Sequence, residues 1–241
     1  MATDRINGLS ITGRLKESGI TLYIRKGKTI VRSASSKQPK RRTRKQFVAR
    51  QQLSHSCRLW DTYKWSGKPL FSAGPTAYSH FISLMRRTPV VFFPYQAAKS
   101  GETLLLPGMP VSDGVLPIVG QNIGEVNGVT ALITDLKPAD LHLGDILILF
   151  ILQQAFEVGH PKLRISRRKI EINEMTEVDG GLALVSEDFN NDMKGWALVR
   201  VNGERCSSQT VVTRCTYYLQ YTTEEALQEA AKSYGGLTKD R

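Results

Sequence analysis

Apolar and polar residues alternate most clearly in two short runs near the N-terminus, Ile20 to Arg25 and Lys28 to Ser33, separated by Lys26-Gly27. Both runs are rich in β-branched residues. Glycine in the second turn position supplies the positive φ of a tight hairpin. Pairing Arg25 with Lys28 puts Ile20, Leu22, Ile24, Thr29 and Val31 on one face, which is expected to pack on a core. Thr21, Tyr23, Arg25, Lys28, Ile30 and Arg32 share the other. The alternation then lapses: Ala34 to Arg42 is small and polar, with Pro39, and predicts an extended loop. A helical period follows. Thr43 and Gln46 have capping-box spacing. Ala49, Leu53, Cys57 and Trp60 then recur at i, i+4, i+8 and i+11, an apolar stripe expected to dock on the body.

Beyond this the pattern predicts a helix over Thr76 to Arg86, ended by Pro89, and a buried strand at Val90 to Phe93. From Gly101 onward Gly, Pro, Asn and Asp punctuate the chain at short intervals. The runs between them are Val129 to Ile133, Asp145 to Leu152, Leu163 to Ile172, Leu182 to Val185, Trp196 to Val201 and Thr210 to Tyr221. Strands at this spacing predict a β-sandwich or open barrel. Val201-Asn202-Gly203 fits a hairpin turn, and Thr222 with Glu225 begins a C-terminal helix that Gly235-Gly236 ends. The expected fold is therefore mainly β, of the α+β class, with a basic hairpin and helix at the N-terminus and a short helix at the C-terminus. Residues 1–95 and 96–241 are expected as two domains.

Charge is spread unevenly along the chain. The formal net charge is +11. Between Ser18 and Trp60 there is no Asp or Glu, against twelve Lys and Arg, whereas residues 61–241 carry a net charge of only −2. A one-signed block of this kind is either a solvated arm or a face for an anionic polymer. Cations also stand at the wrong end of the predicted helix. Arg44 and Lys45 fall in its first turn and Arg41 and Arg42 precede it, next to the positive end of the helix dipole. Local stability disfavours this placement, and an anion held by the free backbone N–H groups would explain it. The candidate anion- or nucleic-acid-binding residues are Tyr23, Arg25, Lys28, Arg32, Arg41, Arg42, Arg44, Lys45 and Arg50, with the tyrosine ring as a stacking surface.

His55, His80, His142 and His160 are isolated and show no metal-ligand spacing. His55 is expected at the surface. His142 between Asp140 and Asp145 invites a base-and-orienter reading, although the aspartates suit turns flanking strands. Glu187, Asp188, Asn190, Asn191 and Asp192 form an oxygen-rich loop without EF-hand spacing. There is no Walker motif, dinucleotide fingerprint or nucleophile elbow. No catalytic residue, cofactor or metal is assigned. Cys206 and Cys215 are either one bridge or two buried thiols, the latter being the commoner fate of lone cysteines. The longest apolar run, Ile146 to Leu152, has seven residues, against about 20 for a membrane span. Met1 to Leu15 lacks the apolar core of a secretory signal. The expected location is the cytoplasm, unless a signal peptide has been removed.

Ile6-Asn7-Gly8, Ser10, Arg25-Lys26-Gly27-Lys28, Val31-Arg32-Ser33, Thr43, Gln46 and Arg50 together carry a family resemblance. In this order they resemble an uncharacterised domain-of-unknown-function family common in Bacteroidota. Its members open with a glycine-rich stretch, a KGK hairpin, a basic Pro-containing linker and a T-x-x-Q-x-x-x-R helix. The resemblance covers about residues 6–60, with a looser match around Trp196 to Val212 that includes Ser207 and Ser208. It departs between Ser10 and Tyr23, where this chain is longer. It implies a mostly β body behind a basic hairpin and helix, and no activity. The expected function is a non-enzymatic binding or assembly protein whose basic element contacts an anionic partner, nucleic acid first among the candidates. The alternative is a structural module of a surface, phage-like or secretion assembly, with the basic arm on a protein subunit.

Overall fold

The structure, a computed structural model, describes residues 13–15, 20–25, 28–33, 43–71 and 76–238. The Lys26-Gly27 turn and the predicted loop at 34–42 lie outside the described residues. The chain divides into two units, residues 1–41 and 42–241. The boundary expected near residue 95 falls inside the second. In the first unit β1 (Gly13–Leu15), β2 (Ile20–Arg25) and β3 (Lys28–Ser33) form an antiparallel sheet in that order. Arg25 pairs with Lys28 and Ile20 with Ser33, the register that the alternation predicts. Strand β1 was not expected; it pairs Gly13 with Leu22 and Leu15 with Ile20. Val31, on the face expected to be covered, is 64% exposed.

The second unit begins with α1 (Arg44–Trp65), β4 (Leu70–Phe71), α2 (Ala77–Leu84), α3 (Tyr95–Lys99) and β5 (Pro110–Asp113). The strands β6 (Gln121–Val126), β7 (Val129–Thr134), β8 (Asp145–Glu157), β9 (His160–Ile170), β10 (Thr176–Val178) and β11 (Gly181–Val185) follow. The chain closes with β12 (Lys194–Asn202), β13 (Arg205–Cys206), β14 (Gln209–Thr210), β15 (Val212–Thr213) and α4 (Glu224–Ser233). The protein is mainly β, of the α+β class, with curled sheets in a half-barrel and a short C-terminal helix. A central sheet runs β13-β12-β8-β9, with β15 also on β12. A second runs β10-β11-β7-β6, and a small third β14-β5-β4.

The long apolar strands are apolar because both faces of the central sheet are covered. On one face Phe150, Leu152, Ala197, Val199 and Val201 share a core with Leu59 and Tyr63 of α1 and Phe81 of α2. On the other, Leu147, Leu149, Trp196 and Leu198 pack with Leu132, Leu182 and Leu184 of the second sheet. Double coverage explains a near-continuous hydrophobic run where a one-sided strand would alternate.

Helix α1 departs from the expected stripe. Thr43 caps it in the predicted box with Gln46. Its buried positions, however, are Phe47, Gln51, His55, Ser56, Leu59 and Tyr63. Leu53 is 50% exposed and Ala49 is exposed, while Trp60 packs against Tyr63, Phe71 and Phe81. The buried face carries polar residues because it meets chain that has no strand partner. Val90 to Phe93 is not a strand; Gln51 hydrogen-bonds both Phe93 N–H and Phe93 C=O, at 3.3 and 3.4 Å. His55 is likewise buried, not at the surface, and its Nε2 accepts from Leu104 N–H at 3.1 Å. Burial first, and the nearby Arg58 second, lower its pKa to about 3.

Three smaller expectations also shift. Thr210 to Tyr221 is not one strand but β14, β15 and a 3-10 turn at Tyr217–Tyr221. The helix α4 is capped by Thr223, which accepts from Ala226 N–H, rather than by Thr222 with Glu225. In the β12–β13 hairpin Asn202 pairs with Arg205, so the turn itself is Gly203-Glu204. Cys206 and Cys215 are separate buried thiols.

Candidate functional site

In the first unit the register aligns Arg14 with Thr21 and Thr21 with Arg32 across three strands. Tyr23 pairs with Ile30 and Arg25 with Lys28 on the same side of the pleat. Positions 14, 25, 28 and 32 thus place four cations on the face of Tyr23. Arg14 is not legible in the sequence, since a three-residue strand has no readable period. Lys28 is exposed.

The helix-start cations are placed differently. Arg41 and Arg42 lie outside the described residues. Arg44 grips Glu224 of α4 with both terminal nitrogens, at 2.8 and 2.5 Å. The acid missing from the first turn of α1 is therefore supplied by another helix. Hydrogen bonds from Arg44, then Gln228, hold the Glu224 carboxyl below its ordinary value. Glu224 in turn stands in the first turn of α4, where the dipole favours it. Lys45 and Arg50 are exposed on α1.

Elsewhere the body neutralises itself. Strand β9 carries Lys162, Arg164, Arg167, Arg168 and Lys169. Arg164 pairs with Glu157, Arg168 with Glu174 and Lys169 with Glu171. Lys162 donates to the carbonyls of Ser100 and Gly101. Arg167 lies over the rings of Tyr63 and Phe150 and donates to Ser66 and to the carbonyls of Gly67 and Lys68.

Two cavities flank the segment 117–119. The first, about 330 Å³, is lined by residues that include Arg87, Ser112, Asp113, Gln121, Ser208 and Thr210. Asp113 contacts His80 Nε2 at 2.8 Å and accepts the Ser208 hydroxyl hydrogen bond. Because Ser208 donates to the carboxylate and not to His80, the group lacks the nucleophile-to-imidazole contact of a Ser-His pair. His80 Nδ1 is buried without a hydrogen-bond partner.

The second cavity, about 370 Å³, is lined by Asp135, Asp140, His142 and Arg200 among apolar residues. Here the base-and-orienter reading fails on geometry. Asp145 accepts from the His142 backbone N–H at 2.7 Å, not from its ring. Its oxygens otherwise hold Arg200 Nε at 2.8 Å and Asn202 at 2.8 Å. Burial raises the Asp145 pKa, but these hydrogen bonds outweigh it and leave the carboxyl below its usual range.

The oxygen-rich loop is held by protein groups: Asp188 pairs with Lys194 at 2.9 Å, and Asn190 accepts from the Thr130 hydroxyl. Among the described residues no three His, Cys, Asp or Glu side chains are grouped to hold a metal ion. No described helix is long and apolar enough to cross a membrane. The chain matches no family model, no curated protein and no solved structure.

Proposed function

We propose that this protein is a non-enzymatic binding or assembly protein whose N-terminal sheet meets an anionic partner, with nucleic acid the best-matched class. One observation carries the reading: the strand register that gathers Arg14, Arg25, Lys28 and Arg32 on the face of Tyr23. Cations in rows meet phosphates, and an aromatic ring among them suits a stacked base. The self-paired charges of β9 leave this face without a strong competitor in the body. Such binding is mostly independent of base sequence and weakens steeply with salt. The motif resemblance, a cytoplasmic location and the absence of catalysis belong to the same proposal.

The test is retention on single- and double-stranded DNA and RNA over a salt series. Changing Arg14, Arg25, Lys28 and Arg32 to Gln is expected to lower affinity for every sequence alike. The slope of log K against log salt should flatten by about 2.8–3.6, at about 0.7–0.9 for each phosphate that is no longer neutralised. Equal retention of the fourfold variant and the wild type overturns the reading. The assembly alternative has its own support, since Arg44 already holds a protein carboxylate. Light scattering that shows an oligomer dependent on residues 1–41, with no retention on nucleic acid, selects it.

A further inference from the structure

The layer between the two larger sheets ends in a charged pair and a cavity, and the groups there are incompletely used. Arg200 follows Trp196 and Leu198 along the same face of β12, where the apolar core stops. It is 5% exposed. Its Nε and Nη2 both turn to Asp145 Oδ2, at 2.8 and 2.6 Å. The ion pair uses Nε and Nη2 and leaves Nη1 out, and Arg200 lines the cavity of about 370 Å³. Asp135 and Asp140 line it as well. Each spends one oxygen on a backbone N–H: Gly120 to Asp135 Oδ1 at 2.8 Å, and Lys137 to Asp140 Oδ2 at 3.0 Å. Ile118, Leu136 and Ala139 contribute apolar wall.

The charges select the ligand. Asp145 already balances Arg200, so two carboxylates remain and a simple anion is repelled. A simple cation would suit Asp135 and Asp140 but leave Arg200 Nη1, on the same wall, unused. A molecule with a carboxylate and an ammonium close together satisfies both. The volume falls at the low end of small-molecule sites and exceeds what those two groups fill. The remaining space faces apolar side chains.

We propose that this cavity binds a free α-amino acid with an apolar side chain. Its carboxylate accepts from Arg200 Nη1, its ammonium lies at Asp135 and Asp140, and its side chain rests on Ile118, Leu136 and Ala139. The site lies wholly in residues 42–241 and is independent of the polyanion reading.

Calorimetry on the full chain tests it, with L-leucine, L-methionine and L-phenylalanine as probes. For comparison, 4-methylpentanoate lacks the ammonium of leucine and 3-methylbutylamine lacks its carboxylate. At least one amino acid is expected to bind saturably, and its two single-charge analogues about tenfold more weakly or worse. An Arg200 variant strands Asp145 and tests folding instead. Joint Asp135→Asn and Asp140→Asn substitution keeps the backbone acceptors and should weaken binding about tenfold. Ala139→Trp, on the exposed part of the wall, should abolish it by filling the space. Failure of all three amino acids to bind overturns the proposal. So does binding that either analogue equals, or that both variants leave unchanged.

Discussion

At the tip of the β8–β9 hairpin the backbone of Val158 stands at φ +51°, followed by Gly159 at +77°. Two positive φ values in a two-residue loop are what a type I′ turn requires, and Asn-Gly is its favoured pair. The β6–β7 hairpin makes the same turn with Asn127 at +53° and Gly128 at +78°. Valine, branched at Cβ, is among the worst residues for this conformation. Nothing offsets the cost, because the Val158 side chain is 96% exposed. Val158→Asn is therefore expected to stabilise the protein by about 1 kcal/mol. For a unit of this size that corresponds to a rise of about 2–4 °C in Tm. A thermal melt that shows no rise rejects the strain argument.

At the scale of elements, glutamines take over a task normally assigned to strand pairing. Three buried glutamines serve segments that belong to no strand. Gln51 closes on Phe93, and Gln209 on both backbone groups of Val119, at 2.9 and 2.7 Å. Gln154 of β8 accepts from Leu105 N–H at 2.7 Å and donates to Thr103 C=O at 3.1 Å. Removing it strands two buried backbone groups, each worth about 1–3 kcal/mol. Gln154→Ala should thus cost about 2–6 kcal/mol in urea unfolding, and Gln154→Leu a similar amount, since volume is not the issue. The exposed neighbour Gln153 is the control, with Gln153→Ala expected within about 0.5 kcal/mol of wild type. A mild Gln154→Leu would show that the amide is dispensable. These side chains also explain what the sequence concealed. The stripe legible in α1 is Ala49, Leu53 and Cys57, because by polarity Gln51 and His55 belong on the outward face. The hairpin register, the box at Thr43 and the long strands were legible because each rests on local chemistry. Arg44–Glu224 and Arg200–Asp145 join residues 180 and 55 positions apart, and no local spacing encodes such pairs.

Across the whole molecule, charge and burial divide the labour. Cations crowd the N-terminal unit, while the body is close to neutral and keeps its buried titratable groups in defined states. His55 is the clearest case, because its helix carries Arg58 one turn further on and Phe93 lies against its ring, with centroids 5.3 Å apart. In the folded chain its pKa is about 3, against 6.5 when unfolded. Between those values the unfolded chain binds a proton that the folded chain refuses, so stability rises with pH. Seen from neutral pH, the contribution is complete above 6.5 and drains away as pH falls towards 3. The slope is about 1.4 kcal/mol per pH unit, so a fall from pH 6.5 to 5 should cost about 2 kcal/mol. Glu224 and Asp145, both held below their usual values, add their loss only at lower pH. The upper window therefore isolates histidine chemistry. His55→Gln keeps an acceptor for Leu104 N–H without a ring that titrates. Its stability should be lower at pH 7 but nearly flat from 6.5 to 5, where the wild type declines. Parallel declines in the two proteins, measured by urea unfolding at closely spaced pH values, would place the proton elsewhere.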